Sequence, residues 1–260
     1  ARHSLADGRV DPKKCPTTEF QITGLLISNP ILKSEKSTQF SLGSVWDVTP
    51  AWSLKADYWN TTITNVLTSI TAQDIVDRDN GDSPLPIPAA LGIKRDASGS
   101  ILQITRGFSN EGTWKFSGLD LSVVFNHKYD ALGSFRHELA VSQMLKREEA
   151  GQDTNGILGN PKSRATLNSR WIYGPMEFAW NVNHIGKNSD ARGAVGGYVT
   201  HDVQTAWNAS GPLKGAKLVL GAVNVGEKFP ALVDFGGKPF NYDLYDMYGR
   251  QLYVRVEAKF

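Results

Sequence analysis

The histidines are the residues of this chain best suited to catalysis or metal binding, and their spacing supports neither. They are His3, His127, His137, His184 and His201. A zinc hydrolase places two histidines four residues apart on a helix, with a glutamate between them, and no pair here has that arrangement. The sequence therefore offers no catalytic metal site, and we expect these histidines to be solvated or strand-facing.

Two further segments match chemical motifs only in part. Residues 77–82 begin like a calcium loop, but the sixth position is not glycine and Pro88 replaces the twelfth-position glutamate. Ser134, His137 and Glu138 have the side chains of a hydrolase site. In a strand, however, the histidine would face away from the other two. We therefore predict that the chain is not an enzyme and needs no cofactor.

Charge and cysteine content exclude several classes of function. The chain has 28 basic and 26 acidic residues without a block of like charge, whereas nucleic-acid-binding surfaces are usually basic stripes. We predict no nucleic-acid partner. Cys15 is the only cysteine, so the chain can form no internal disulfide. No run of about 18 apolar residues predicts a transmembrane helix, although the alternating strands of a membrane barrel would not produce such a run.

Nine segments in which apolar and polar residues alternate dominate the chain after residue 37. Each predicts a strand with one apolar face, because successive side chains of a strand point to opposite sides. The connections between them are alternately short and long. This rhythm is typical of an outer-membrane barrel, with tight periplasmic turns and long external loops. Apolar positions from the nine rows are Phe40, Leu54, Leu121, Leu139, Leu167, Phe178, Val203, Leu220 and Val254.

Two regions lie outside this pattern. Residues 1–36 are predicted to be irregular, although a weak alternation at Phe20, Ile22 and Leu26 allows one short strand. The longest connection runs from about residue 60 to residue 110 and is rich in Asp, Gly and Pro.

Large aromatic residues cluster in or beside the apolar rows, often next to a tight turn. Tryptophan and tyrosine at strand ends match the girdles that sit at membrane–water interfaces. The alternative is the aromatic core of a soluble β-sandwich, since a sandwich also alternates. The predicted interfacial anchors are Trp46, Trp52, Tyr58, Trp171, Tyr173, Trp180 and Trp207.

Several stretches resemble the C-terminal barrel of a TonB-dependent outer-membrane receptor. Residues 29–37, Asn-Pro-Ile-Leu-Lys-Ser-Glu-Lys-Ser, resemble the family's Asn-Pro-x-Leu-x-Pro-Glu-x-Ser segment, with Ser34 where the family usually has proline. The order and spacing of the later stretches over residues 29–260 also match. They are Gln39–Gly43, Ala56–Trp59, Asn110–Gly112, Gly118–Asp120, Asn224–Gly226, Gly249–Arg250 and Phe260.

The resemblance implies a 22-stranded antiparallel transmembrane β-barrel in the outer membrane of a Gram-negative bacterium. It further implies a plug domain, energy from the TonB complex, and uptake of a scarce, bulky ligand such as a ferric siderophore, cobalamin or an oligosaccharide. Nine strands cannot make that barrel, so we expect the chain to be its C-terminal part without the plug. Residues 1–36 would be an external loop region at the truncated start, and residues 37–260 the C-terminal portion of the barrel.

The last strand carries an apolar row that ends the chain. Leu252, Val254, Val256, Ala258 and Phe260 share one face, and they resemble the C-terminal signal that the barrel-assembly machinery reads. In hydrocarbon every backbone group needs a partner, so such a strand must pair on both sides in a closed cylinder. The predicted partners are therefore outer-membrane lipid, the assembly machinery, the TonB complex through the plug region, and a transported small ligand.

Two other functions remain open on sequence alone. A passive pore would arise if Phe20–Leu26 supplied a tenth strand that closed a small barrel. A soluble β-sandwich binding module would bury the apolar rows in its core. The sandwich alternative predicts that Leu121, Phe178 and Val256 pack between two stacked sheets, whereas the membrane alternative predicts that they are exposed.

Overall fold

The computed structural model describes residues 22–258, and it divides the chain into two compact units. One unit, here called the large sheet, comprises residues 38–62 and 115–258. The other, here called the α/β module, comprises residues 22–37 and 63–114. The elements, in chain order, are β1 (Thr23–Leu26), β2 (Lys36–Thr49), β3 (Trp52–Thr64), β4 (Leu67–Ile70), α1 (Ala72–Asp79), β5 (Gly92–Arg95), β6 (Ile101–Asn110), β7 (Thr113–Tyr129), β8 (Gly133–Glu149), β9 (Gln152–Asp153), β10 (Ser163–Tyr173), β11 (Met176–Ile185), β12 (Asn188–Asp190), β13 (Gly193–Val195), β14 (Tyr198–Asn208), β15 (Ala216–Val223) and β16 (Gln251–Ala258).

The large sheet confirms the nine predicted strands. Its order is β16-β15-β14-β11-β10-β8-β7-β3-β2, with the two-residue strand β9 attached to β8. From β8 to β16 each long strand is antiparallel to the next. The connections are alternately short and long, so the sheet has a short-turn rim and a long-loop rim. The tight turn between β7 and β8 lies at residues 130–132, after β7 ends at Tyr129.

The strand register places the apolar rows on one face of the large sheet. Phe135 lies opposite Trp171, which lies opposite Phe178. The same row continues through Thr205, Leu220 and Val254 on the next three strands. A one-residue slip would turn these side chains to the other face, so the alternation in the sequence fixes the pairing.

No described layer covers this apolar face, which is here called the outward face. Leu121 is 44% exposed, Phe178 39% and Val256 71%. The three residues that a sandwich would bury are thus open, and the sandwich alternative is wrong. A large exposed apolar surface of this kind marks an interaction site for lipid or protein.

The opposite, inward face is polar and contains glycines covered by large side chains. A Cβ atom at Gly221 would lie 2.2 Å from the Tyr253 ring, and one at Gly118 would lie 2.6 Å from the Trp59 ring. The ring of Tyr253 therefore occupies the space above a glycine on the neighbouring strand, and its hydroxyl donates to Gln204 at 2.8 Å. Such aromatic cover compensates for the missing glycine side chain in a sheet.

The α/β module fills the region that the sequence presented only as a long connection. Its strands β1, β4 and β5 all pair with β6, β1 in parallel and the other two antiparallel. Its core consists of Ile70, Ile75, Val76 and Ile104. Helix α1 begins with a capping box in which Thr71 and Asp74 satisfy each other's backbone N–H groups.

Strand β1 confirms the short strand allowed by the weak alternation, but its place differs from the passive-pore model. Thr23–Leu26 pairs with β6 in the module and does not add a tenth strand to the large sheet. Phe20 lies outside the described residues. The expected closure of a small barrel by this segment is therefore wrong.

Candidate functional site: two faces and two rims of the large sheet

Aromatic rings form a nearly continuous row on the outward face beside the short-turn rim. The rings of Phe135 and Trp171 are stacked with centroids 5.8 Å apart, and those of Trp171 and Phe178 are 5.2 Å apart. Farther along the rim, Trp52 and Phe125 approach to 4.7 Å. The row follows from the strand register, because Phe135, Trp171 and Phe178 occupy facing positions on β8, β10 and β11.

The predicted anchors lie on the outward face at two different distances from the short-turn rim. Trp46, Trp52, Trp171, Tyr173 and Trp207 are exposed and lie within four residues of a tight turn or short connection. Trp180 is exposed but one step farther from the turn, and Tyr58 is half-buried within β3. Their anchoring role remains a prediction.

Charged residues line the inward face near the short-turn rim. The Nε atom of Arg170 lies 2.8 Å from one oxygen of Glu177, and Lys217 Nζ lies 3.7 Å from the other. Further ion pairs at the same rim join two residues on the same face of one strand, two positions apart. They are Lys55–Asp57, Arg136–Glu138 and Arg255–Glu257.

Toward the long-loop rim, amide and hydroxyl groups join further ion pairs, such as that of Lys146 with Glu148. Asp202 accepts hydrogen bonds from Asn183 at 3.3 Å and from the backbone of Asn224 at 2.8 Å. Ser142 donates to Asp120 at 2.6 Å. The inward face is therefore hydrated in character over its length, as the wall of a barrel interior must be.

The long connections at the opposite rim share one core, here called the loop cluster. Its buried members are Leu158 from the β8–β10 connection, Val195 from the β11–β14 connection, Tyr198 at the start of β14, and Phe240 and Tyr245 from the β15–β16 connection. The sequence gives no signal for this cluster, because its members come from three connections far apart in the chain and share no strand or helix period.

Asn188, in the β11–β14 connection, forms hydrogen bonds to the other two connections of the loop cluster. Its Nδ2 donates to the Tyr245 hydroxyl at 2.8 Å, and its Oδ1 accepts from the Gly159 backbone at 3.2 Å. This buried amide is thus paired on both of its polar atoms, as a buried polar group must be.

An open cavity of about 570 Å³ lies on the outward face, and another of about 480 Å³ lies in the β15–β16 connection. Residues 240–248 supply most of the second cavity, including Tyr242, Met247 and Tyr248, whose side chains are exposed. Lys238 Nζ lies 5.3 Å from the centre of the Tyr242 ring. The combination of aromatic rings, a thioether and a nearby cation suits a ligand with apolar or aromatic parts.

The residues considered for catalysis are not brought together. His137 Nδ1 lies 2.9 Å from Ser169 Oγ on the outward face, whereas Glu138 pairs with Arg136 on the inward face. The calcium-like segment lies in α1 and the turn after it, and there Asp79 pairs with Arg95. Within residues 22–258 no group of three or more histidine, cysteine, aspartate or glutamate side chains could hold a metal ion.

A sheet with an exposed apolar outward face, a polar inward face and sorted connections is the wall of a transmembrane β-barrel. No helix among the described residues is long and apolar enough to cross a membrane. The family model of the TonB dependent receptor-like β-barrel matches residues 11–225. The protein therefore belongs to the TonB-dependent receptor family, whose members are outer-membrane proteins, and the outer membrane is its location.

Solved structures support the same fold. The FrpB iron transporter from Neisseria meningitidis matches 91% of this chain and 33% of its own, with a TM-score of 0.58 and 16% identity. The ferric enterobactin receptor PfeA from Pseudomonas aeruginosa matches 90% and 32%, with a TM-score of 0.65 and 15% identity. The outer membrane transporter YddB from Escherichia coli matches 93% and 35%, with a TM-score of 0.63 and 11% identity.

The chain spans about a third of the length of these structures. No curated protein sequence matches it. The matched family is one of receptors.

Proposed function

We propose that this chain is the C-terminal barrel portion of a receptor that takes up a scarce, bulky ligand with energy from the TonB complex. The observation that carries the proposal is the match of the family model over residues 11–225. The large sheet supports it, because a lipid-suited face and a polar face on one layer are the requirements of a barrel wall.

The proposed ligand is a ferric siderophore or a related metal complex. Structural neighbours include an iron transporter and a ferric enterobactin receptor, although identities near 15% establish only the fold. The cavity of residues 240–248 supports a ligand with aromatic parts through its rings, whereas its carboxylates Asp243 and Asp246 give no preference for an anion. Cobalamin and oligosaccharides remain the alternative cargo of the same receptor class.

The proposed arrangement places residues 1–36 outside the cell and residues 37–260 in the C-terminal barrel portion. Tight turns of outer-membrane barrels face the periplasm and long connections face outward, so the loop cluster would lie on the external side. The whole receptor would contain 22 strands and a plug that contacts the TonB complex.

The last strand supplies the proposed signal for barrel assembly. In β16, Leu252, Val254 and Val256 are exposed on the outward face and pair with Ala222, Leu220 and Leu218 of β15. Phe260 lies outside the described residues. We propose that these residues, with Ala258, are read by the assembly machinery, because β16 has a described partner on only one side.

Growth under iron limitation tests the proposal. Deletion of the whole gene should abolish growth on the cognate ferric siderophore, and the whole encoded protein should restore it only when TonB is present. Replacement of Tyr242 by alanine should lower uptake of that siderophore, whereas Tyr129→Ala at the short-turn rim should leave uptake unchanged. Uptake that continues without TonB would contradict energy coupling and indicate a passive pore.

A further inference from the structure

The cavity on the outward face has a floor of small residues and walls of large ones. Ser169, Thr205 and Ala222 form its floor on three different strands. The walls include Trp171, Phe178 and Leu220. The register explains the shape, because Thr205 lies directly between Phe178 and Leu220 on the adjacent strands. Small side chains between large ones leave a groove of about 570 Å³, which is within the range of about 300–1,000 Å³ typical of small-molecule pockets.

The polar groups of Trp171, Trp180 and Ser169 around the groove form hydrogen bonds within the protein, and the Thr205 hydroxyl is buried below the groove surface. Trp171 Nε1 donates to the Leu132 carbonyl at 2.7 Å, and Trp180 Nε1 donates to His201 at 3.3 Å. Ser169 is paired with His137. Thr205 Oγ1 is buried below the surface without a hydrogen-bond partner among the described residues. The groove thus offers an occupant mainly apolar contact, and the His137 ring is the polar group of its outward-facing lining that keeps a second nitrogen beyond its bond to Ser169.

The depth of the groove places it within the hydrocarbon layer. Ser169 precedes the Gly174–Pro175 turn by five residues, or about 17 Å along a strand at about 3.3 Å per residue. With a strand tilt of about 45°, this corresponds to about 12 Å along the membrane normal, inside an apolar band about 25 Å tall. The floor therefore lies in the half of the bilayer next to the short-turn rim.

We propose that this groove seats one acyl chain of a membrane lipid from the leaflet beside the short-turn rim. The groove is continuous with the outward face that the family and the fold place against lipid. Because its lining surface is mostly apolar and the Thr205 hydroxyl is buried beneath it, it selects hydrocarbon and not a headgroup. This binding site is independent of the transported ligand, and it fixes a lipid molecule to strands β8, β10, β11, β14 and β15.

Native mass spectrometry of the whole encoded protein, purified from outer membranes in mild detergent, tests the proposal. The protein is supplied with palmitoyl-oleoyl phosphatidylethanolamine or with the phosphatidylglycerol of the same chains. We expect one retained lipid per protein and equal retention of both headgroups. Ala222→Phe, which fills the floor, should lower the lipid-bound fraction about tenfold, as expected for lost contact with about two methylene groups.

Ala165→Phe is the matched control, since Ala165 lies on the outward face of β10 but does not line the groove. It should retain lipid like the wild type. Phe178→Ala removes one wall of the groove and adds no bulk to its floor. It should therefore also lower the lipid-bound fraction, and it tests the proposal independently if Ala222→Phe does not fold. Heat-modifiable gel mobility reports folding of each variant.

Three results would overturn the proposal. Equal lipid retention by the wild type and by folded Phe178→Ala and Ala222→Phe would show that the groove is not the seat. Retention that follows the headgroup would show that the acyl chain is not the group recognised. A lipid-free dimer that Ala222→Phe separates would show that a second copy of the chain occupies the groove.

Discussion

Individual residues on the inward face illustrate how closely this sheet is packed. Tyr253 lies over Gly221 and donates to Gln204, so one aromatic ring closes a gap in the sheet and satisfies an amide. The alternation in the sequence predicts that both positions face inward, but it does not predict that they meet. Their contact depends on the register between β15 and β16, which places Gly221 opposite Tyr253.

Gly221→Ala should destabilise the barrel by about 1–3 kcal/mol, because the new Cβ forces Tyr253 to move and to leave Gln204. The thermal midpoint of the heat-modifiable gel shift measures this loss. Gly196→Ala is the control, since no atom lies within 4 Å of the added Cβ there. An unchanged midpoint for Gly221→Ala would show that the Tyr253 ring does not occupy this space in solution.

At the level of elements, the long strands were predictable and the α/β module was not. Segments such as β10 and β11 alternate over ten residues around a Gly-Pro turn, and each therefore carries its own signal. Helix α1 has only eight residues, and its buried pair Ile75 and Val76 is too short a pattern to detect. The parallel pairing of β1 with β6 joins residues 80 positions apart, which no local pattern reveals.

The α/β module should depend on the ion pair between Arg78 and Glu111. Their side chains are only 6% and 16% exposed, and two hydrogen bonds of 2.6 Å and 2.8 Å join them. Arg78→Met leaves the carboxylate without its partner and should cost about 3 kcal/mol. Hydrogen exchange of the β6 amides measures this loss. Lys94→Met, at an exposed position of the neighbouring strand β5, should leave the exchange unchanged, and equal effects of the two variants would contradict the role of the pair.

The β12–β13 hairpin in the loop cluster region should be sensitive to acid. Hydrogen bonds from Arg192 hold the pKa of the Asp190 carboxyl below its ordinary value. A carboxyl whose folded pKa is lowered stabilises the folded state above its unfolded pKa of about 3.9, and this contribution disappears as the pH falls through the folded value.

Limited proteolysis of the hairpin should therefore accelerate below about pH 4 in the wild type. Asp190→Asn should be cleaved faster at neutral pH and should respond less to acid. Asp243→Asn, in the β15–β16 connection, is a control for general charge loss. A wild-type hairpin that keeps its protection to pH 2 would show that the pair does not hold it.

The whole molecule divides its chemistry between two faces of one layer, and this division was readable from sequence. Leu167 and Asn168 are adjacent in β10 but lie on the outward and the inward face of the large sheet, respectively. What the sequence could not show is the groove among Ser169, Thr205 and Ala222, because it depends on three strands in register.

Leu167→Arg should cost about 2–4 kcal/mol, because it places a charge in the middle of the bilayer. Asn168→Arg, one residue away on the polar face, should cost much less. Unfolding in urea from phosphatidylcholine vesicles measures both. Similar losses for the two variants would mean that the outward face does not contact lipid.

The loop cluster also limits how the mouth of the barrel can open. Leu158, Val195 and Tyr245 belong to three connections but share one core, and Asn188 bonds across them. Movement of one connection alone would expose apolar surface and leave the buried Asn188 amide without a hydrogen-bond partner. The three segments are therefore expected to move as one unit, and hydrogen exchange should report the same opening rate for amides in all three.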